Sequence, residues 1–405
     1  MDSLTQITLG AAVGEVVLGR KVGNRAMLWG AVGGTIPDLD VVANLLTDQL
    51  GALAYHRAIS HSFTFALIAP IALGWLVHHL YEGQGRSRWW GQLALTWLCL
   101  SAVLIAGGLV LPIDATGAVL TGLCVGLAMV TPAIIAGGRE YFRRRPAKAT
   151  NARRVEWSWL FFWAIFTHPL LDCCTTYGTQ VLQPFDDYRA AFNNISVVDP
   201  LYTLPFLLCV LITSRLVRNS SRRRLVNRFG IGLSSAYLLL TFFHKARVND
   251  VFEASLRERG VTYERYMTAP TLMNNVLWQG IAETDSTYYY GLYSLFDDDP
   301  RVNTFEVIPK NHHLLSPYRD ERAVRILTWF SNGYYSLSPL PDGRLQFNDL
   351  RFGTIRRSRE DDNQNYVFKF ILEKQDGRLR AFQEEASRRD LDGAFEYLWE
   401  RAKGN

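Results

Sequence analysis

Cysteine is scarce in this chain. There are five in 405 residues (Cys99, Cys124, Cys173, Cys174 and Cys209), and no two form a CxxC pair. A disulfide framework and a cysteine-based zinc finger are therefore not expected, and the thiols read as small buried hydrophobes. Charge is also thin, at 20% of residues against about 25% in soluble domains. Three catalytic signatures are missing: HExxH, GxSxG and GxxxxGK[ST]. Their absence disfavours a zincin protease, an α/β-type serine hydrolase and a P-loop NTPase. A basic n-region is absent too, since the first charge is Asp2, so no cleavable signal peptide is expected.

Hydrophobic residues, by contrast, make up 48% of the chain, and their distribution splits it in two. Residues 1–244 carry a balance of +7 and residues 245–405 a balance of −2. The positive charge sits in short loops between apolar runs, which points to a membrane rather than to nucleic acid. Long uncharged runs cover 62–81, 91–113 and 115–138, each close to the ~20 residues that span a bilayer. Shorter runs cover 157–171, 200–214 and 229–243, and weaker ones 3–19 and 26–46. The expected fold is a membrane α-helical bundle of six to eight helices over 1–244. With eight crossings, 18 basic loop residues fall on one side and two on the other. The positive-inside rule makes the crowded side cytoplasmic and places 37–61, 173–199 and the C-terminal part outside.

Residues 245–405 mix charge with aromatic and β-branched runs at 275–281, 287–296, 304–308, 333–337, 345–352 and 366–372. Turn residues separate the runs, so the pattern predicts a soluble α+β domain with a mainly antiparallel sheet. Helices are expected to flank it, at 251–259 and 379–403. Glycine pairs four apart, Gly10/Gly14, Gly30/Gly34 and Gly122/Gly126, read as close helix packing.

Ionisable residues beside apolar helices are costly, and here they fall into two groups. The first is Pro37-Asp38-Leu39-Asp40 with His56-Arg57-Ala58-Ile59-Ser60-His61-Ser62. In an extended segment Asp38 and Asp40 project to one side. His56 and His61 are about 140° apart on a helix, so sharing an ion requires a turn between them. The second is His168-Pro169-Leu170-Leu171-Asp172, whose His and Asp share one helix face, with Pro169 expected to start or kink the helix. Asp38, Asp40, His56, His61, His168 and Asp172 all fall at the outer ends of their segments, as do Asp2 and Asp199. This mixed N/O set suits zinc, manganese or iron better than calcium. His78, His79 and His244 read as interfacial, and His312-His313 as surface. A proton or metal-ion transporter and a membrane-anchored docking protein stay open beside an enzyme. The inner parts of the helices are nearly bare of charge, which favours a surface site over a through-path.

These motifs, with Met1-Asp2-Ser3-Leu4-Thr5-Gln6, Thr175-Thr176-Tyr177-Gly178-Thr179-Gln180 and Val198-Asp199-Pro200-Leu201-Tyr202, resemble the YdjM-like inner-membrane metal-dependent hydrolases. The likeness covers about residues 1–215. It implies an inner (cytoplasmic) membrane protein of a bacterium. Elements similar to zinc-dependent phospholipase C imply a phosphoester substrate, such as a lipid head group, attacked by metal-activated water. The six His and Asp residues above would hold the metal, Arg57 would clamp an anionic oxygen, and Asp2, Asp199 and Ser60 would orient. One departure stands at Gln6, where many members carry His. The bilayer is the expected partner, no nucleic acid partner is expected, and the sequence names no protein partner.

Overall fold

The computed structural model describes residues 1–45, 47–82, 151–355, 365–375, 378–384 and 393–404. Its helical half begins with α1 (Ser3–Val22) and α2 (Asn24–Thr35), which form a tight hairpin. Asp2 caps α1 by accepting from the Thr5 amide at 3.1 Å, and Gly23 (φ 63°) turns the chain where a side chain would be strained. The glycine pairs make the seam between them. A Cβ on Gly30 would meet the Gly10 carbonyl oxygen at 2.2 Å, and one on Gly34 would meet the Gln6 carbonyl oxygen at 2.5 Å. Gly122 and Gly126 lie outside the described residues, as do Cys99 and Cys124.

A 3-10 helix (Pro37–Leu45), α3 (Gln49–Tyr55) and a second 3-10 turn (Ile59–His61) lead into α4 (Phe63–Glu82). Then follow α5 (Arg154–Asp172), α6 (Pro200–Arg215) and the long α7 (Ser221–Glu258). Asp199 caps α6 by accepting from the Leu201 and Tyr202 amides, with Pro200 at the first helical position.

The expected six-to-eight-helix membrane bundle is overturned. Among the described residues only two helices are long and apolar enough to cross a bilayer, Phe63–Tyr81 and Ser221–Glu258. The other expected crossings fail for identifiable reasons. With 12 residues α2 is about 18 Å long, well short of ~30 Å of hydrocarbon. The 16 residues of α6 reach about 24 Å. Helix α1 buries Thr5, Gln6, Thr8 and Glu15 against its neighbours, and α5 carries Arg154, Glu156, His168 and Asp172. The runs at 91–113 and 115–138 lie outside the described residues.

The C-terminal part holds two antiparallel meanders, in the orders β1-β2-β3-β4 (Arg265–Pro270, Leu277–Glu283, Thr287–Ser294, Phe305–Pro309) and β5-β6-β7-β8 (Tyr335–Pro339, Leu345–Ile355, Asn365–Gln375, Arg378–Glu384). Period-2 aromatic and β-branched runs form most of these strands. Two expectations need correction. The stretch 379–403 does not form one helix: it opens with β8, whose Leu379 and Ala381 are buried on alternate positions, and among its described residues only α9 (Ala394–Ala402) is helical. Strand β1 and helix α8 (Arg322–Phe330) appear where no element was expected.

The two parts share their cores. Val248, Phe252 and Leu256 of α7 pack with Trp278 and Tyr293, so α7 runs unbroken from one part into the other. Leu50 and Leu53 of α3 pack with Leu327, Phe330, Phe347 and Phe370. The basic residues described at the ends of α1 and α6 and the start of α5 gather at the opposite end: Arg218 donates to the Arg20 carbonyl at 2.9 Å, and Lys21 pairs with Glu156 at 2.6 Å.

Candidate metal centre

Four ligand atoms converge where α2, the second 3-10 turn and α5 meet. The 3-10 helix after α2 brings in Asp38, the turn before α4 brings in His61, and the last turn of α5 brings in His168 and Asp172. One ligand atom from each lies within 4.8 Å of the others. The individual spacings are His61 Nε2 to His168 Nε2 3.1 Å, His168 Nε2 to Asp172 Oδ2 3.3 Å, and His61 Nε2 to Asp172 Oδ2 3.4 Å. Asp38 Oδ1 lies 3.4 Å from His168 Nε2 and 3.6 Å from His61 Nε2. His61, His168 and Asp172 are fully buried, while the Asp38 side chain is 17% exposed and forms the corner nearest solvent.

The tautomers make this a cation site. His168 Nδ1 lies 2.6 Å from the Gly34 carbonyl, which can only accept, so Nδ1 carries the proton and Nε2 presents a lone pair. His61 Nδ1 faces Ser60 Oγ at 3.0 Å and the Asp40 carboxylate at 3.4 Å, which leaves its Nε2 free in the same way. Asp172 Oδ2 is buried and accepts no hydrogen bond from the described residues. Two lone pairs and two carboxylate oxygens at these spacings demand positive charge between them. In the free protein a proton supplies it. Burial opposes the charged imidazole of His61, but the carboxylates of Asp172, Asp38 and Asp40 around it outweigh burial and raise its pKa to about 9. Burial likewise disfavours the ionised form of Asp38, yet the neighbouring imidazoles of His168 and His61 hold the carboxyl well below the usual range.

The remaining sequence-derived residues surround this set. Asp40 stands one layer out. It accepts from the Arg57 amide at 2.8 Å, lies 3.0 Å from His56 Nδ1 and steadies His61. The two carboxylates reach the site from a 3-10 helix and not from the extended segment expected of them. His56 caps α3 and lies outside the four-atom group. Arg57, held at φ 58° and buried, turns its guanidinium to Asp172 Oδ2 (Nε, 3.3 Å) and Thr175 (2.9 Å). Pro169 stays inside α5, so no helix starts there. Asp2 and Asp199 serve as the helix caps described above, and Tyr237 donates to Asp199 at 3.0 Å. Gln6 donates to Asp172 Oδ1 at 3.0 Å and to the His168 carbonyl at 3.2 Å, with its own Oε1 buried and unpartnered among the described residues. The Met1 amine also pairs with Asp172 Oδ1. Burial pushes the Cys173 and Cys174 thiols up to about 11 and about 12, which keeps them protonated beside the site.

A family model described as "YdjM inner membrane protein" matches residues 1–107 and 118–248. The chain belongs to this family. It is a YdjM-family membrane protein whose His/Asp cluster could hold a metal ion. No curated protein and no solved structure shows significant similarity to it.

Two contributors were not apparent from the sequence. One is the Gly34 carbonyl on His168, which leaves no trace in side-chain patterns. The other is Tyr177, which roofs the site: its ring lies 5.1 Å from His56, 5.0 Å from the Arg57 guanidinium and 5.0 Å from Phe330 of the C-terminal part. Arg189 lies over the same ring at 4.8 Å and over Phe330 at 5.2 Å, so the C-terminal part rests on the loop that leaves α5 just after Asp172.

Proposed function

We propose that this YdjM-family protein is a metal-dependent hydrolase whose zinc centre is built from His61, His168 and Asp172, with Asp38 at its open corner, acting on phosphoesters at the outer face of the inner membrane. The observation that carries this reading is the set of spacings. A tetrahedral zinc with bonds of 2.0–2.1 Å requires ligand–ligand edges of about 3.3–3.4 Å. The three edges among His61, His168 and Asp172 run from 3.1 to 3.4 Å, and Asp38 lies 3.4 and 3.6 Å from the two imidazoles. A bound divalent ion there would acidify water towards neutrality and polarise a phosphoester oxygen.

The chain's own residues divide the remaining work. His61, His168 and Asp172, all buried, form a three-residue grip, while Asp38 at the exposed corner is placed to take the proton of an incoming water. Asp40, Ser60 and the Gly34 carbonyl fix the two imidazoles, and Arg57 and Gln6 hold Asp172. The outward orientation rests on the described basic residues near 20–25, 153–154 and 215–228 at the end of the helices remote from the site, by the positive-inside rule. The test is a screen of phosphodiester and phosphomonoester substrates with zinc-loaded protein. Turnover is expected from wild type and should fall at least about 100-fold in Asp38→Ala, within the range for loss of an acid–base group. Turnover equal in both proteins, or in no substrate class, sinks the hydrolase reading.

Metal uptake should depend on pH in a defined direction. The stabilising contacts of protonated His61 are fully present below its ordinary value of 6.5 and are lost as pH climbs through about 9. The metal needs that proton gone, so apparent affinity should rise by up to about tenfold per pH unit from 7 towards 9 and then flatten. Calorimetric titrations in buffers of different ionisation enthalpy should show close to one proton released per metal at pH 7.5. Affinity independent of pH over this range would contradict the assignment of His61.

A further inference from the structure

A cavity of about 400 Å³ lies between the loop joining α5 to α6 and the C-terminal sheets. Thr176 and Val197 form its wall on the loop side, Leu272 the end next to β1, Ile355 and Val367 the second sheet, and Leu398 the α9 side. Its volume is within the range of small-molecule sites. The larger polar side chains on its wall are already engaged. The Gln279 amide donates to the Arg351 carbonyl at 2.5 Å and accepts from Tyr290 at 3.2 Å. The Arg351 guanidinium is held by Asp349 at 3.0 and 2.6 Å. Ser196 accepts from the Met273 amide at 3.1 Å. What the interior offers a ligand is hydrocarbon, and a polar guest would lose its water without replacement.

The place of the cavity indicates which hydrocarbon. Helix α7 exposes a row of apolar side chains that includes Leu233, Leu239 and Leu240 and ends at Phe243, which is 72% exposed. The next two residues turn to polar partners of the C-terminal part: His244 lies 2.8 Å from Asn275 Oδ1, and Lys245 donates to the Thr268 carbonyl at 2.7 Å. That change marks where the apolar belt stops. Leu272 of the cavity wall and its neighbour Met273 fall between these two anchors in sequence, and both are exposed. On the far side Phe395 and Trp399 of α9 are exposed as well. The mouth of the cavity is therefore rimmed with apolar side chains at the level of the membrane surface.

We propose that this cavity receives one acyl chain of a bilayer phospholipid, drawn out of the membrane beside α7. The wall and the metal centre share a turn, because Thr176 follows the Thr175 that binds Arg57. The binding does not depend on hydrolysis, so failure of the catalytic reading leaves it standing and the reverse also holds.

The test uses the full chain in lipid nanodiscs doped with a phosphatidylethanolamine whose acyl chain ends in a diazirine. After photolysis and peptide mapping, adducts are expected on Ile355, Val367 and Leu398 as well as on the exposed row of α7. Val367→Trp and Leu398→Trp, which fill the cavity, should each lower the cavity adducts at least fivefold and leave those at Leu239 and Phe243 unchanged. The α7 adducts report that each variant is folded and inserted. Adducts confined to α7 in the wild type would overturn the proposal, and this result needs no variant. So would cavity labelling that persists in the folded Trp variants, or labelling by a diazirine fatty acid alone and not by the phospholipid.

Discussion

Purified His168→Ala/Asp172→Ala protein is expected to contain no stoichiometric metal under conditions where the wild type holds about one ion per chain. Both residues sit on the last turn of α5, and their ligand atoms are 3.3 Å apart and fully buried. Removing them deletes two corners of the four-atom set and leaves His61 and Asp38 with no neighbouring ligand on α5. Elemental analysis of the two proteins side by side makes the measurement. Asp40→Asn supplies a graded comparison. It keeps all four ligand atoms and weakens only the support of His61, so its metal affinity should fall by about 10–100-fold without vanishing. Wild-type protein that stays metal-free after reconstitution with zinc, manganese or iron would sink the metal centre altogether. Equal metal in wild type and double variant would place the ion elsewhere.

How much of this was legible beforehand differs from residue to residue, for physical reasons. His168 and Asp172 are four apart on an apolar segment, and the helix period alone puts them on one face. Asp38 and His61 were also marked, because charge at the edge of an apolar run is costly wherever it occurs. The split between Asp38 and Asp40, with one in the cluster and the other behind it, was not visible. It depends on a 3-10 helix that a Pro-Asp-Leu-Asp string does not announce. The helix count failed because hydropathy does not distinguish apolar surface facing lipid from small residues facing another helix. Gly10, Gly14, Gly30 and Gly34 raise the apolar score of α1 and α2, yet they are consumed in the seam between these helices. That seam matters to the site, since it sets the Gly34 carbonyl against His168 Nδ1. The seating of α3 in the C-terminal core was illegible for another reason. Leu50 and Leu53 meet Phe330 and Phe370 across some 280 residues of sequence or more, and no local pattern encodes such a pairing.

The reading of the inner helices as nearly bare of charge passed over Glu15, and Arg223, counted there as a loop residue, pairs with it; the two support the second large effect. The Arg223 guanidinium meets both oxygens of Glu15 at 2.6 Å, and both side chains are buried, at 2% and 4% exposure. Arg223 further donates to the Leu216 carbonyl at 3.0 Å, so one side chain ties α1, the α6–α7 connection and the first turn of α7 together. Fork-to-fork geometry of this kind is the strong form of an ion pair, but both ions have been stripped of solvent. The consequences for single and double substitution therefore differ. Arg223→Ala leaves the Glu15 carboxylate buried without its partner and should cost about 3–5 kcal/mol. Glu15→Leu with Arg223→Met removes both charges while keeping most of the volume, and should recover most of that loss. Thermal unfolding of the detergent-solubilised protein distinguishes the two, provided wild type and variants share one detergent. Metal content is the second readout. The pair lies at the end of α1 remote from Gln6, so whatever fraction of Arg223→Ala remains folded should still bind its ion. A loss below about 1 kcal/mol in the single variant would class the pair with exposed salt bridges and contradict its burial. Metal loss from the folded single variant would mean instead that the position of α1, and with it the Gly34 carbonyl, depends on this distant charge pair.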